Sequence, residues 1–142
     1  MSQEKSTASL DHLNLTVRNF AESAAWYKEI FNFSIEEQGE TPDGQPWGIL
    51  RNGDSMLCVF EEKGRAPAAE SSTDSKKFHR IEHFALRIKN QTAWEKTLKG
   101  KQLRTYYGGE IKYPFSTSWY IKDPSGYTIE VVSWRDDRVR FC

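Results

Sequence analysis

Apolar and polar positions alternate along Leu13-Asn14-Leu15-Thr16-Val17, and a similar alternation returns half a chain later in Phe84-Ala85-Leu86-Arg87-Ile88. A period of two is the mark of a strand with one buried face. Leu13, Leu15 and Val17 fall on one side, opposite His12, Asn14 and Thr16; Phe84, Leu86 and Ile88 oppose His83, Ala85 and Arg87. The stretches Leu10–Asn19 and Ile81–Asn90 agree in kind at their aliphatic, acidic, histidine, leucine, cationic and asparagine positions, so they read as an internal repeat. The pattern predicts strands over residues 10–18 and 80–89. Each should rest its apolar face on a helix and turn its histidine towards a more polar space.

After each of these strands the period lengthens. Asn19 is placed to cap a helix, with Glu22 as the acidic partner of a weak capping box. Phe20, Ala24, Tyr27, Ile30 and Phe31 then recur at helical spacing as far as about Asn32. Strands are expected over 33–39, 47–51 and 55–61, with a turn at Thr41–Pro46 and a hairpin at Asn52-Gly53-Asp54. Lys63 to Lys77, with Gly64, Pro67 and clustered Ala, Ser and mixed charge, breaks the pattern and reads as a linker or long surface loop. In the second half Asn90 caps a helix with Ala93, Trp94, Thr97 and Leu98 on one face and Gly100 at its end. Strand candidates follow at 103–107, 110–113, 118–122 and 127–134, two of which can form a single bent strand. Asp123-Pro124-Ser125-Gly126 reads as a tight turn. Each half is therefore β-α-β-β-β. The expected class is α+β, with tandem βαβββ modules at 10–62 and 80–134, an arm at 1–9, a linker at 63–79 and a tail at 135–142.

Composition narrows the function classes. A chain of 142 residues suits one domain or two small modules sharing a core. Twenty basic residues balance twenty acidic ones, which argues against a nucleic-acid binder. No apolar run is long enough for a transmembrane helix, and residues 1–9 lack an apolar signal core. Cys58 and Cys142 are too few for a disulfide framework and read as free thiols in a reducing cytoplasm. Glu130 stands out: it lies among Ile129, Val131 and Val132, where a carboxylate is costly unless partnered.

Three segments carry a resemblance: His12 in Leu-Asp-His-Leu-Asn-Leu-Thr-Val, His83 in Ile-Glu-His-Phe-Ala-Leu, and Glu130 in Asp-Pro-Ser-Gly-Tyr-Thr-Ile-Glu-Val-Val. Over residues 10–134 the chain resembles the vicinal oxygen chelate superfamily, which includes glyoxalase I, extradiol dioxygenases, fosfomycin-resistance thiol transferases and bleomycin-binding proteins. The resemblance implies a glyoxalase-like fold whose paired modules form a cupped mixed β-sheet. It also implies one divalent ion per site, Fe, Mn, Ni or Zn, held by His12, His83 and Glu130 with open positions for substrate. The first-module counterpart of Glu130 falls at Leu57 or Cys58, neither a carboxylate, so three protein ligands are expected.

By the same resemblance, Tyr120 would hydrogen-bond a substrate oxygen; its plain alternative is a core tyrosine. Asn14, Arg87 and Ser118 are expected on the same polar side by alternation, as substrate contacts. The chain holds three His in all, too few for the second-sphere histidines of the extradiol enzymes. Glu110 and Pro114 depart from the phosphonate-binding loop of the fosfomycin enzymes. The expectation is thus a Lewis-acid enzyme, a lyase, isomerase or thiol transferase, acting on a small metal-chelating metabolite or electrophile. The alternatives are an extradiol-type ring-cleaving dioxygenase and a metal-free, bleomycin-resistance-like binding protein. A homodimer is expected, with a linker long enough for exchange of modules between chains.

Overall fold

In a computed structural model of the chain, residues 10, 12–64 and 83–136 are described. The expected arm at 1–9, Asp11, most of the linker at 63–79, His79, the start of the second repeat and the chain end from 137, including Cys142, lie outside the described residues. The chain divides into two compact units, 1–65 and 66–142. Each holds one helix and one four-stranded mixed sheet, an α+β fold.

The first unit runs β1 (Leu13–Val17), α1 (Phe20–Phe31), β2 (Ser34–Glu40), β3 (Pro46–Asn52) and β4 (Ser55–Glu61). Its strand order is β1-β4-β3-β2, with β1 parallel to β4 and the other pairs antiparallel. The expected alternation sets the core. Leu15, Val17, Leu57, Val59 and Leu50 are buried on the face that meets Phe20, Ala24, Tyr27 and Ile30 of α1. Fully burying an aliphatic or aromatic side chain of this size contributes about 1.5–3 kcal/mol. Asn19 caps the helix by accepting from the Glu22 N–H at 2.8 Å. The carboxylate of Glu22 goes to Arg18 at 2.7 Å, and Glu61 of β4 takes the Phe20 N–H at 2.8 Å. The helix start is thereby tied to the sheet. Its end is Asn32, in the left-handed region at φ 59°.

Gly48 has a steric reason. A Cβ there would stand 2.5 Å from Cζ of Phe20 and 3.0 Å from the carbonyl oxygen of Glu37. Gly48→Ala is expected to destabilise the protein by about 1–3 kcal/mol through overpacking. The check is a lower denaturation midpoint with an unchanged far-ultraviolet circular dichroism spectrum; an unchanged midpoint refutes it.

The second unit runs β5 (Phe84–Arg87), α2 (Gln91–Gly100), β6 (Tyr106–Lys112), β7 (Ser116–Lys122) and β8 (Thr128–Trp134), in the order β5-β8-β7-β6 with β5 parallel to β8. Trp119, Ile121, Ile129 and Val131 are buried, and Trp94 of α2 meets Trp119 edge-on at 6.4 Å. Trp94 is the buried residue of α2, whereas Ala93, expected beside it, is exposed. Asn90 caps α2 through the Ala93 N–H at 3.0 Å. Gly100 is the last helical residue, and the left-handed turn falls two residues later at Gln102, φ 52°. The candidate strands at 103–107 and 110–113 prove to be the one bent strand β6, which begins only at Tyr106. Asp123 folds the β7–β8 turn on its side chain, whose Oδ1 accepts from the N–H groups of Ser125 and Tyr127, both at 2.9 Å.

Candidate functional site

Both repeat histidines stand one residue before their strands, because the parallel ladders begin at Leu13 and Phe84. His83 precedes β5, the outer strand paired to β8. The register places Ala85 beside Glu130, and Glu130 opposite Tyr120. Directly paired residues share a sheet face. The face away from α2 therefore carries His83, Arg87, Glu130, Tyr120 and Ser118.

On that face the side chains converge. Nε2 of His83 stands 3.0 Å from Oε2 of Glu130. Ser118, fully buried, donates its hydroxyl to Oε1 of Glu130 at 2.7 Å. The carboxylate is thus held from one side and presented on the other, with its side chain 19% exposed beside a His83 side chain that is 37% exposed. The Tyr120 ring meets His83 edge-on at 5.5 Å. Burial pushes the Tyr120 phenol well above its ordinary pKa, with added contributions from its hydrogen bond to Tyr113 and the charge of Glu130. Tyr120 is therefore a hydrogen-bond donor, not a phenolate, through neutral and mildly alkaline pH. Arg87 lies with its guanidinium 5.9 Å from the Trp134 ring centre.

The first unit repeats the framework with other chemistry. Asn14 pairs with Cys58, and Cys58 with Ile49, where the second unit has Ala85, Glu130 and Tyr120. Between the two sequence candidates for the counterpart of Glu130, the register selects Cys58. His12 and Asn14 are exposed residues of this unit. Of the sequence-derived site, then, the second unit brings together His83, Ser118, Tyr120 and Glu130. Among the described residues no three His, Cys, Asp or Glu side chains cluster; His83 and Glu130 form a pair.

Two residues of the site went unread in the sequence. Tyr107 meets Tyr120 edge-on at 5.1 Å, and Tyr113 hydrogen-bonds it. The signal available was Tyr106-Tyr107-Gly108-Gly109, where a Gly pair inside a strand marks a bulge.

The family model described as Glyoxalase/Bleomycin resistance protein/Dioxygenase superfamily matches residues 9–131. The chain belongs to this superfamily. Solved structures share its fold. A glyoxylase/bleomycin resistance protein/dioxygenase domain from Frankia sp. EAN1pec is 19% identical, with a TM-score of 0.73 over 92% of this chain and 100% of that one. A genomically encoded fosfomycin resistance protein from Listeria monocytogenes, solved with Mn(II) and sulfate, is 15% identical, with a TM-score of 0.65 over 90% and 93%. Lactoylglutathione lyase from Agrobacterium tumefaciens is 18% identical, with a TM-score of 0.61 over 91% and 96%. At these identities the likeness is one of fold. No curated protein matches the sequence. Among the described residues of this superfamily member, no helix is long and apolar enough to cross a membrane.

The second-unit donors fit a small divalent ion. Two ligands at right angles, each about 2.1 Å from one ion, stand about 3 Å apart, and the His83–Glu130 separation is 3.0 Å. An imidazole nitrogen beside a carboxylate oxygen also matches the mixed donor set that Mn, Fe, Ni and Zn accept. The Ser118 hydroxyl gives Glu130 the kind of outer hydrogen bond that would hold a ligating carboxylate in orientation.

Proposed function

We propose that this chain is a divalent-metal-dependent enzyme acting on a small substrate that offers two neighbouring oxygens, by lyase, isomerase or thiol-transferase chemistry without a redox step. The observation that carries the reading is the convergence of His83, Glu130 and Ser118 beside Tyr120 on one sheet face. Superfamily membership and the Mn(II) of the Listeria relative support it. His83 and Glu130, with His12 from the repeated strand, would hold Fe, Mn, Ni or Zn. When bound, the ion supplies Lewis-acid charge to substrate oxygens. Ser118 keeps the Glu130 carboxylate from rotating. Tyr120, protonated at its Oη, donates to a substrate oxygen on which negative charge grows. Arg87 and Asn14 are assigned to the substrate's polar groups.

Metal analysis of protein purified without chelator is expected to give about one divalent ion per chain. Stoichiometric metal in a His12→Ala, His83→Ala, Glu130→Ala triple variant overturns the reading. A second reading has its own observation: His83 and Glu130 already satisfy each other at 3.0 Å, as they would in a metal-free binding module. Absence of metal from the freshly purified protein would select it. Oxygen uptake by Fe(II)-loaded protein with a catechol would select the dioxygenase instead. The proposal includes a homodimer, so light scattering should give twice the chain mass at micromolar concentration; a monomeric mass contradicts that part.

A further inference from the structure

The bulge in β6 turns one tyrosine back over the site. Tyr106 pairs with Tyr120, and the next pair is Ile111 with Ser118, so residues 107–110 of β6 stand opposite the single residue Trp119 of β7. In the first unit the matching edge strand, β2, has a smaller irregularity, with Glu36 alone between its paired neighbours Ile35 and Glu37. Tyr107, Gly108 and Gly109 all take left-handed φ values, 58°, 86° and 95°. Glycine adopts these freely and tyrosine does not. An unbroken strand would send Tyr107 to the face opposite Tyr106. The left-handed turn instead brings its ring to Tyr120, edge-on at 5.1 Å and 83°.

This costly arrangement buries little. The Tyr107 residue is 56% exposed and Tyr113 is 44% exposed. Both stand beside the face that presents His83 and Glu130. Paired exposed rings, one on strained backbone, are poorly explained by core packing and well explained by a surface kept for a ligand. We propose that Tyr107 is a specificity-determining residue of the site, offering its ring to a planar unsaturated body of the substrate, an aryl or conjugated acyl group. The substrate's oxygens then lie towards His83 and Glu130, which rests on the enzymatic reading above. Tyr113, hydrogen-bonded to Tyr120, is the second ring of the same wall.

The test compares benzohydroxamate with cyclohexanecarbohydroxamate on the Zn(II)-loaded protein. The two probes present the same pair of oxygens and differ in the planarity of the ring. The wild type should prefer the aryl probe by about two- to tenfold, the worth of one aromatic contact. Tyr107→Phe should keep that preference. Tyr107→Gly, which accepts the left-handed φ, should lose it with an unchanged Tm and unchanged affinity for Zn(II) alone. Preference surviving in Tyr107→Gly, or a Tm that falls sharply in it, overturns the assignment, the second because it makes Tyr107 structural. Benzoate and cyclohexanecarboxylate are compared on the metal-free protein by saturation-transfer NMR. Failure to bind Zn(II) then counts against the metal reading, while the ring preference still decides the role of Tyr107.

Discussion

Glu130→Gln should cut the affinity for Zn(II) or Mn(II) by about a hundredfold or more while leaving the fold intact. The substitution removes the charge and one donor of the proposed ligand set but keeps the side chain's shape. Even an outer hydrogen-bond partner of a metal ligand is worth about 10- to 100-fold in affinity, so loss of a ligand itself belongs at the top of that range or above. An amide oxygen still accepts from Ser118, whose buried hydroxyl keeps its partner. Stability should therefore change by less than about 1 kcal/mol. Glu130→Ala is the contrasting case. It strands the Ser118 hydroxyl in a buried position, which costs about 1–3 kcal/mol of stability on top of the lost metal. Calorimetric titration of chelator-treated protein separates the two effects when paired with thermal unfolding. Wild-type metal affinity in Glu130→Gln would remove Glu130 from the site. Metal affinity of the wild type should also fall as the pH is lowered, since an imidazole must give up its proton to bind.

Tyr120→Phe is expected to lower kcat by about 10²- to 10³-fold, the loss typical of one well-placed donor to a developing oxyanion. The ring remains, so the edge contacts to His83 and Tyr107 persist and metal affinity should stay within about twofold. The pH profile adds a sign. Burial and the neighbouring Glu130 keep the phenol protonated well past its ordinary range. An alkaline fall in wild-type activity therefore does not come from Tyr120, and the Phe variant should show the same profile shape at reduced height. Full activity in Tyr120→Phe, or a change of profile shape, would assign Tyr120 to packing.

The fold was legible in the sequence wherever side-chain periodicity ran unbroken. The alternation at Leu13–Val17, the helical spacing from Phe20 to Ile30 and the Gly53 hairpin each act within a few residues, and each appears as expected. The helix end at Gly100 appears as expected, but the left-handed turn two residues later at Gln102 escaped, because a glutamine rarely takes a left-handed φ. The bend in β6 was open in the sequence only as two candidates joined in one strand; which two stayed unread, because three consecutive positive φ values erase the period of two. For the candidate site, Glu130 announced itself as a carboxylate in an apolar run, and His83 by repetition. Ser118 followed from alternation once β7 was recognised, and Tyr120 from the family resemblance of its segment. The role of Cys58 as counterpart to Glu130 needed the ladder register, which no local pattern encodes. Tyr107 needed a backbone reversal that turns it to the face that alternation denies it.

The place of the bulge has an evolutionary consequence. β6 is an outer strand, hydrogen-bonded to β7 alone among the described strands. Residues gained or lost between Tyr106 and Ile111 leave the pairing of β7 with β8 untouched, and so leave Tyr120 and Glu130 where they are. A lineage built on this scaffold can exchange one ligand preference for another by insertion or deletion at that rim, without first passing through variants whose reactive groups are misaligned.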